Sequence, residues 1–186
     1  MREFRQTGSG VLCLAVAFLA MGLGSPVGAQ IISGAPLPPV VLEEDSGGQL
    51  DGSPWDSNSL KERLHILMYV DPDEVEVNAH VEDALSQQNF DQEKIRSVAV
   101  INMAATWKPN LAIDIILKGK QEKYPDTLYI RDLQGELVKK WGLIDDSYHV
   151  LLIGRKGEAL FSAGDALSEE QLTKLLSIIT ESLAGD

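Results

Sequence analysis

Apolar residues fall in short, nearly continuous runs that are separated by longer amphipathic or polar segments. Short runs with little alternation are typical of strands that are buried on both faces of a sheet. The clearest run, residues 65–70, stops abruptly at Asp71 and Pro72. The pattern predicts strands at residues 40–42, 65–70, 97–102, 127–130, 149–153 and 159–162.

Three of the intervening segments carry apolar residues at the spacing of one face of a helix. They predict helices at residues 75–88, 110–123 and 168–183. Pro109 suits the first turn of the second helix, and Ser168 caps the third. The apolar positions are, in order, Val77, Val81 and Leu85; Leu111, Ile115 and Ile116; and Leu172, Leu175, Leu176 and Ile179.

The order of these elements predicts the fold class. Strands that alternate with helices pair in parallel, whereas the last two strands, joined by a turn at Gly157, pair antiparallel. The acidic segment 43–52 predicts a turn at Gly47 and Gly48. The sequence therefore predicts an α/β fold of three layers, in which a central mixed sheet is flanked by helices.

The N-terminus has the three parts of a secretory signal. Arg2 and Arg5 precede an unbroken apolar run at residues 11–21, and small residues follow up to Ala29. The apolar run is too short for a membrane anchor, because spanning takes roughly 20 residues. We therefore expect residues 1–29 to be a signal peptide, cleaved after Ala29, and the protein to be exported.

Charge and cysteine content restrict the function of the remaining chain. The net charge is −12, and removal of a signal that contains Arg2, Glu3 and Arg5 leaves −13. Such a charge repels a phosphate backbone, so nucleic-acid binding is excluded as a hypothesis. The single cysteine, Cys13, would leave with the signal, and thiol exchange or a disulfide would then be impossible.

Candidate binding residues follow the second and third predicted strands. Open α/β sheets bind ligands beyond the carboxyl ends of their strands. An exposed Trp107 at this edge would suit a partner, although packing in the core is the alternative. The candidates for contact with a protein or small ligand are Asp71, Pro72, Asp73, Glu74, Thr106, Trp107 and Tyr148.

Acidic residues at the same edge suggest a second possibility. Four carboxylates lie within residues 71–76, and carboxylate oxygens are ligands for Ca²⁺. The spacing of an EF-hand is absent, and the dipole of a following helix would also favour acids here. A metal site would use Asp71, Asp73, Glu76 and His80, the last two being four residues apart on a predicted helix.

Several motifs carry a family resemblance. The opening Gly34-Ala35-Pro36-Leu37-Pro38 resembles that of exported thioredoxin-like proteins. A narrower similarity, over most of residues 34–183, is to the YtfJ family, which comprises exported bacterial proteins of uncharacterised function. The segments that carry it are Lys123-Tyr124-Pro125, Ile130-Arg131-Asp132-Leu133-Gln134-Gly135, Trp141-Gly142-Leu143 and Ala163-Gly164-Asp165-Ala166-Leu167-Ser168-Glu169-Glu170.

The resemblance implies a periplasmic location and a thioredoxin-like domain at residues 34–186. The domain opens with an extended, proline-containing lead that includes the first strand, at residues 30–46. It also shows what is missing, since thioredoxins place a Cys-x-x-Cys where this chain has residues 71–78, and a cis-proline where it has 146–149. Catalysis there needs a thiolate. We expect a redox-inactive binding or accessory protein without cofactors, and the alternatives are a divalent-cation-binding protein and a cysteine-independent enzyme.

Overall fold

The core of the protein is a mixed sheet of six strands. The computed structural model describes residue 31 and residues 33–185, so the expected signal peptide and Cys13 lie outside the described residues. The strands are β1 (Val41–Leu42), β2 (Gly47–Gln49), β3 (Trp55–Asp56), β4 (Leu64–Val70), β5 (Ile95–Asn102), β6 (Leu128–Asp132), β7 (Tyr148–Ile153) and β8 (Ala159–Gly164). The helices are α1 (Ala79–Gln87), α2 (Asn110–Lys123), α3 (Glu136–Trp141) and α4 (Glu169–Ala184).

The strand order confirms the predicted mixed sheet. The order is β2-β6-β5-β4-β7-β8, and β1 and β3 form a separate antiparallel pair. Strands β4, β5 and β6 are parallel, because α1 and α2 carry the chain back between them. Strands β7, β8 and β2 are antiparallel to their neighbours.

Alternation along the central strands creates two separate cores. Ile66 and Val70 of β4 face a core that α1, α2 and α4 cover. Leu67 and Tyr69 face the opposite core, where α3 and the N-terminal segment up to Leu60 pack. Both faces of the sheet are therefore covered, as the unbroken apolar character of the strands predicts.

Most predicted elements are confirmed to within two residues at either end. The sequence reasoning missed α3, whose six residues are too few to show a helical period. It also placed the start of α1 too early, at residue 75. Residues 73–78 instead form successive tight turns, and the helix begins at Ala79.

The buried side chain of Asn78 explains the late start of α1. Its Nδ2 donates to the carbonyl oxygen of Asp165 at 2.8 Å, and its Oδ1 accepts the backbone N–H of Leu167 at 2.9 Å. Its own carbonyl oxygen accepts the N–H of Val81 and of Glu82. A fully buried amide must satisfy its hydrogen bonds, so Asn78 holds the first turn of α1 against the loop before α4.

The predicted apolar side of α2 is exposed. Leu111, Ile115 and Ile116 are 73%, 65% and 57% exposed, and Ile113 and Leu117 are the residues buried against the sheet. Residues four apart lie on one face of a helix, so Ile113 and Leu117 form a narrow buried stripe. The larger apolar face of α2 points away from the core.

The predicted turn at Gly47 and Gly48 is wrong, because both residues lie in β2. Gly47 pairs with Asp132 of β6, and its φ of 127° lies outside the range of most residues. A Cβ at Gly47 would collide with the carbonyl oxygen of Arg131. Glycine is required here because two backbones approach closely at the edge of the sheet.

We expect Gly47→Ala to lower the free energy of unfolding by more than about 2 kcal/mol, since it adds a steric collision to backbone strain. Gly52→Ala is the matched control, because Gly52 also has a positive φ but open space around it. Its cost should be about 1 kcal/mol. Urea unfolding measures both values, and equal costs would argue against the steric role of Gly47.

Candidate binding site at the carboxyl edge of the sheet

Two loops meet at the carboxyl ends of β4 and β5, and we call these loops, residues 71–78 and 103–109, the rim. The ammonium group of Lys108 lies 2.6 Å from Oδ1 of Asp73 and donates to the carbonyl oxygen of Pro72 at 3.0 Å. The hydroxyl of Thr106 donates to Oδ2 of Asp73 at 2.7 Å. These contacts join the two loops directly, so the rim has a defined shape.

Asp71 points into the protein. It is buried, its backbone N–H donates to the carbonyl oxygen of Ser147, and its Oδ1 accepts the N–H of Asp73 at 2.8 Å. Burial raises the pKa of this carboxyl, and the nearby charge of Asp73 adds to the increase. Asp71 therefore shapes the rim from below and offers little surface to a partner.

The outer surface of the rim is formed by other residues. Trp107 is 86% exposed, so the packing alternative for this side chain is wrong. Asp73 and Glu74 are exposed as well, whereas Pro72 and Thr106 are half-buried. The rim thus presents a large aromatic side chain beside acidic groups.

Tyr148 does not belong to this outer surface. Its side chain is buried, and its hydroxyl donates to Oε1 of Glu82 on α1 at 2.7 Å. Burial raises the pKa of the Tyr148 hydroxyl, and the charge of Glu82 contributes. A partner at the rim would not touch this residue.

The structure does not bring the predicted metal ligands together. Asp73 is engaged by Lys108 and Thr106, and Nε2 of His80 lies 3.0 Å from the carbonyl oxygen of Leu167. Within residues 31 and 33–185, no group of three or more histidine, aspartate or glutamate side chains is placed to hold a metal ion. The candidates Asp71, Asp73, Glu76 and His80 therefore have no common centre.

One known protein family and several solved structures resemble this chain. A family described as "Bacterial protein of unknown function (YtfJ_HI0045)" matches residues 39–182, which is more than half of the chain. The chain belongs to this family. No curated protein matches it.

Solved structures show the thioredoxin-like fold of this YtfJ-family chain. A presumed thiol:disulfide interchange protein DsbE from Chlorobium tepidum is 15% identical, with a TM-score of 0.58 and coverage of 82% of this chain and 99% of that chain. A presumed thioredoxin from Neisseria meningitidis is 15% identical, with a TM-score of 0.56 and coverage of 80% and 89%. A thiol peroxidase from Chromobacterium violaceum is 14% identical, with a TM-score of 0.56 and coverage of 81% and 88%.

The names of these three proteins refer to thiol chemistry, but the described part of the YtfJ-family chain contains no cysteine. At such identities the likeness establishes the fold alone. Over the same described residues, none of the helices is long and apolar enough to cross a membrane.

Sequence reasoning missed a buried carboxylate next to the rim. Asp132 accepts the hydroxyl of Tyr69 at 3.1 Å and the backbone N–H groups of Glu136 and Leu137 at 2.9 and 3.0 Å. A carboxylate at the start of a helix accepts hydrogen bonds from the free backbone N–H groups of the first turn. In the sequence, the only signal for this role was an acid shortly before Gly135. Asp132 thus fixes α3 to the end of β6 and anchors Tyr69 beneath the rim.

The two strand histidines lie on one face of the sheet but far apart. His65 pairs with Ile153, and His149 pairs with Tyr69, so they are separated by four residues along the strands, or roughly 13 Å. His149 contacts the hydroxyl of Ser162 at 2.9 Å. Burial lowers the pKa of both imidazoles to about 4.

This burial predicts a pH dependence of stability. Both histidines stay neutral in the folded protein, whereas the unfolded chain takes up protons below the ordinary pKa of 6.5. The free energy of unfolding should therefore be highest above pH 6.5 and fall as the pH drops towards about 4. Each histidine contributes about 1.4 kcal/mol per pH unit within that window.

Urea unfolding at about pH 7, 6 and 5 measures this slope. The double variant His65→Gln/His149→Gln should be less stable at neutral pH, yet it should lose less stability on acidification. If the double variant keeps the slope of the unaltered protein, the acid sensitivity comes from other groups.

Proposed function

We propose that this protein is an exported, redox-inactive binding protein that engages a protein partner through its rim. The observation that carries the proposal is the exposure of Trp107 on a loop that Lys108 and Thr106 hold in place. A tryptophan this exposed contributes little to the core. Because its neighbours hold the loop in place, little backbone freedom is lost on binding, which suits Trp107 as an anchor for a partner.

The absence of thiols supports a binding function over a redox function. Disulfide exchange requires an attacking thiolate, and residues 30–186 contain no cysteine. The position after β4 is occupied by Asp71, Pro72 and Asp73. Pro72 and Asp73 join the two rim loops through Lys108, and the carboxylate of Asp71 accepts the backbone N–H of Asp73.

The character of the rim indicates the chemistry of the partner. Leu111 and Ile115, four residues apart on one face of α2, add exposed apolar surface on the helix that follows the loop of Trp107. The exposed carboxylate of Glu74 lies on the neighbouring loop, where Asp73 is already paired with Lys108, and the chain carries a large net negative charge. A partner with an apolar pocket and basic residues around it would complement both features.

We expect Trp107→Ala to weaken partner capture at least about tenfold, because an anchoring aromatic residue contributes about 2 kcal/mol or more. A photo-crosslinking residue at Ala104, which is exposed on the loop of Trp107, should yield a defined adduct in the periplasm when it is introduced in cells. The same residue at Glu170, which is exposed on α4, is the control and should yield no such adduct.

The Trp107 test has a matched control for loss of apolar surface. Val41 is also exposed but lies on β1, which pairs with β3 outside the six-stranded sheet. Val41→Ala should leave capture unchanged. Equal capture by the unaltered protein and Trp107→Ala would exclude the rim as the docking surface.

Export is tested by the mass of the protein in cell fractions. We expect the periplasmic fraction to contain a chain that begins at Gln30, since a signal peptidase reads the small residues before that position. A variant without residues 1–29 should stay in the cytoplasm. Recovery of the intact chain from the cytoplasm, with Met1 to Ala29 still present, would contradict this part of the proposal.

A further inference from the structure

A cavity of about 270 Å³ lies between the rim and α2. Rim residues line part of it, so the rim and the cavity form one continuous surface; these residues are Pro72, Val75 and Lys108. The interior consists of buried side chains of one core, namely Val70, Ala99, Ile101, Ile113 and Leu117. The cavity is therefore an apolar hole next to the loop that carries the exposed Trp107.

The charges that line the cavity balance one another. Glu82 and Lys120 carry opposite charges, and Lys120 forms no salt bridge within the described residues. The remaining charged residue of the lining, Lys108, is paired with Asp73 at 2.6 Å. This balance gives no preference for an ion of either sign, whereas the apolar interior favours an uncharged group.

The size of the cavity matches the side chain of a tryptophan. A cavity of ~150 Å³ holds one benzene ring, so a space of about 270 Å³ has room for the two fused rings of an indole. Trp107 does not line the cavity of its own copy and is 86% exposed. A single copy of the chain thus presents an unfilled hole and, beside it, an exposed side chain of matching size.

A surface that carries both a projecting side chain and a matching hole is complementary to a second copy of itself. Two copies related by a twofold axis make the same contact twice. We propose that the protein forms such a dimer, in which Trp107 of each copy enters the cavity of the other. In naming a second copy as the partner of the rim, this proposal rests on the proposed function.

Charges around the contact also fit a second copy. The exposed carboxylate of Glu74 lies on the rim, and the exposed ammonium group of Lys120 lies at the wall of the cavity. In the dimer, Glu74 of each copy approaches Lys120 of the other, and the opposite charges attract. The net charge of −12 repels a second copy at long range, but physiological salt screens charges that are more than about 8 Å apart.

The dimer also covers apolar side chains that water contacts in a single copy. Val75 and Ile116 line the cavity, and they are 37% and 57% exposed. An indole ring inserted between the rim and α2 would remove part of both side chains from water, which favours association.

Tryptophan fluorescence and sedimentation velocity test the dimer together. The chain has three tryptophans, and Trp55 and Trp141 are buried, so a change in exposure reports on Trp107. Between about 1 μM and about 1 mM protein, the sedimenting mass should double, while the emission maximum moves to shorter wavelength and quenching by acrylamide falls. A monomer at every concentration, or a dimer in which Trp107 remains open to acrylamide, would overturn the proposal.

Two variants remove the projecting side chain and the hole separately. Trp107→Ala should weaken dimerisation at least about a hundredfold, because each dimer loses two anchors. Ala99→Leu, which fills the floor of the cavity, should weaken it although Trp107 is intact, and urea unfolding checks that this variant is folded. Val41→Ala is the control and should dimerise as the unaltered protein does. Unchanged dimerisation of Trp107→Ala, or of folded Ala99→Leu, would argue against insertion of the indole.

Charge reversal tests the orientation of the two copies without altering the core. Glu74→Lys and Lys120→Glu should each weaken dimerisation about fivefold, because like charges then approach. The double variant, in which the pair is reversed, should recover most of this loss. Lys118→Glu is the matched control, since Lys118 is exposed on α2 but does not line the cavity. No recovery in the double variant, or equal weakening by Lys118→Glu, would overturn this arrangement.

Crosslinking from Ala104 separates the dimer from the proposed function. An adduct with the mass of two copies supports the dimer. An adduct with a different protein, together with a monomer in sedimentation, would overturn the dimer and leave the rim as a binding surface for another partner. Absence of any adduct would contradict the rim as a docking surface, and the dimer with it.

Discussion

The paired hydrogen bonds of Asn78 are the constraint on which the candidate binding site depends. This amide is fully buried, and it bonds both to Asp165 and to Leu167 in the loop before α4. The helix after β4 consequently starts at Ala79 and packs towards α4. The chain that precedes it is left as a loop, and this loop forms part of the rim while leaving a gap beside α2.

The rim is shaped by a few charged contacts rather than by a larger core. Lys108 crosses from one loop to the other, where Asp73 and the carbonyl oxygen of Pro72 receive its ammonium group. Thr106 adds a bond to the same carboxylate. Since both ends of this bridge are partly open to solvent, its energetic contribution is small, and its main effect is to hold the loop that carries Trp107.

The carboxyl edge of this thioredoxin-like fold is built from polar contacts, and residues 30–186 contain no cysteine. After β4, where the resemblance to thioredoxins would place a cysteine pair, this chain has Asp71, which is turned inward beneath the rim. The exposed side chains at that edge include Trp107 and Glu74, which are the groups that the candidate site offers to a partner.

The sequence by itself determined the sheet, because its strands are buried on both faces and so appear as unbroken apolar runs. It also determined the lack of thiol chemistry in residues 30–186 and the location of the rim, at the ends of β4 and β5. Tertiary structure decided which face of α2 is buried, because the face with Ile113 and Leu117 and the exposed face are equally apolar.

Tertiary structure alone also decided the start of α1 and the pairing of Gly47 in β2. Each depends on partners remote in sequence, such as Leu167 for Asn78 and Asp132 for Gly47. Periodicity reports which residues prefer burial, but it does not report what they are buried against. The fold and the loops that meet at its carboxyl edge were therefore predictable, whereas the contacts that shape those loops were not.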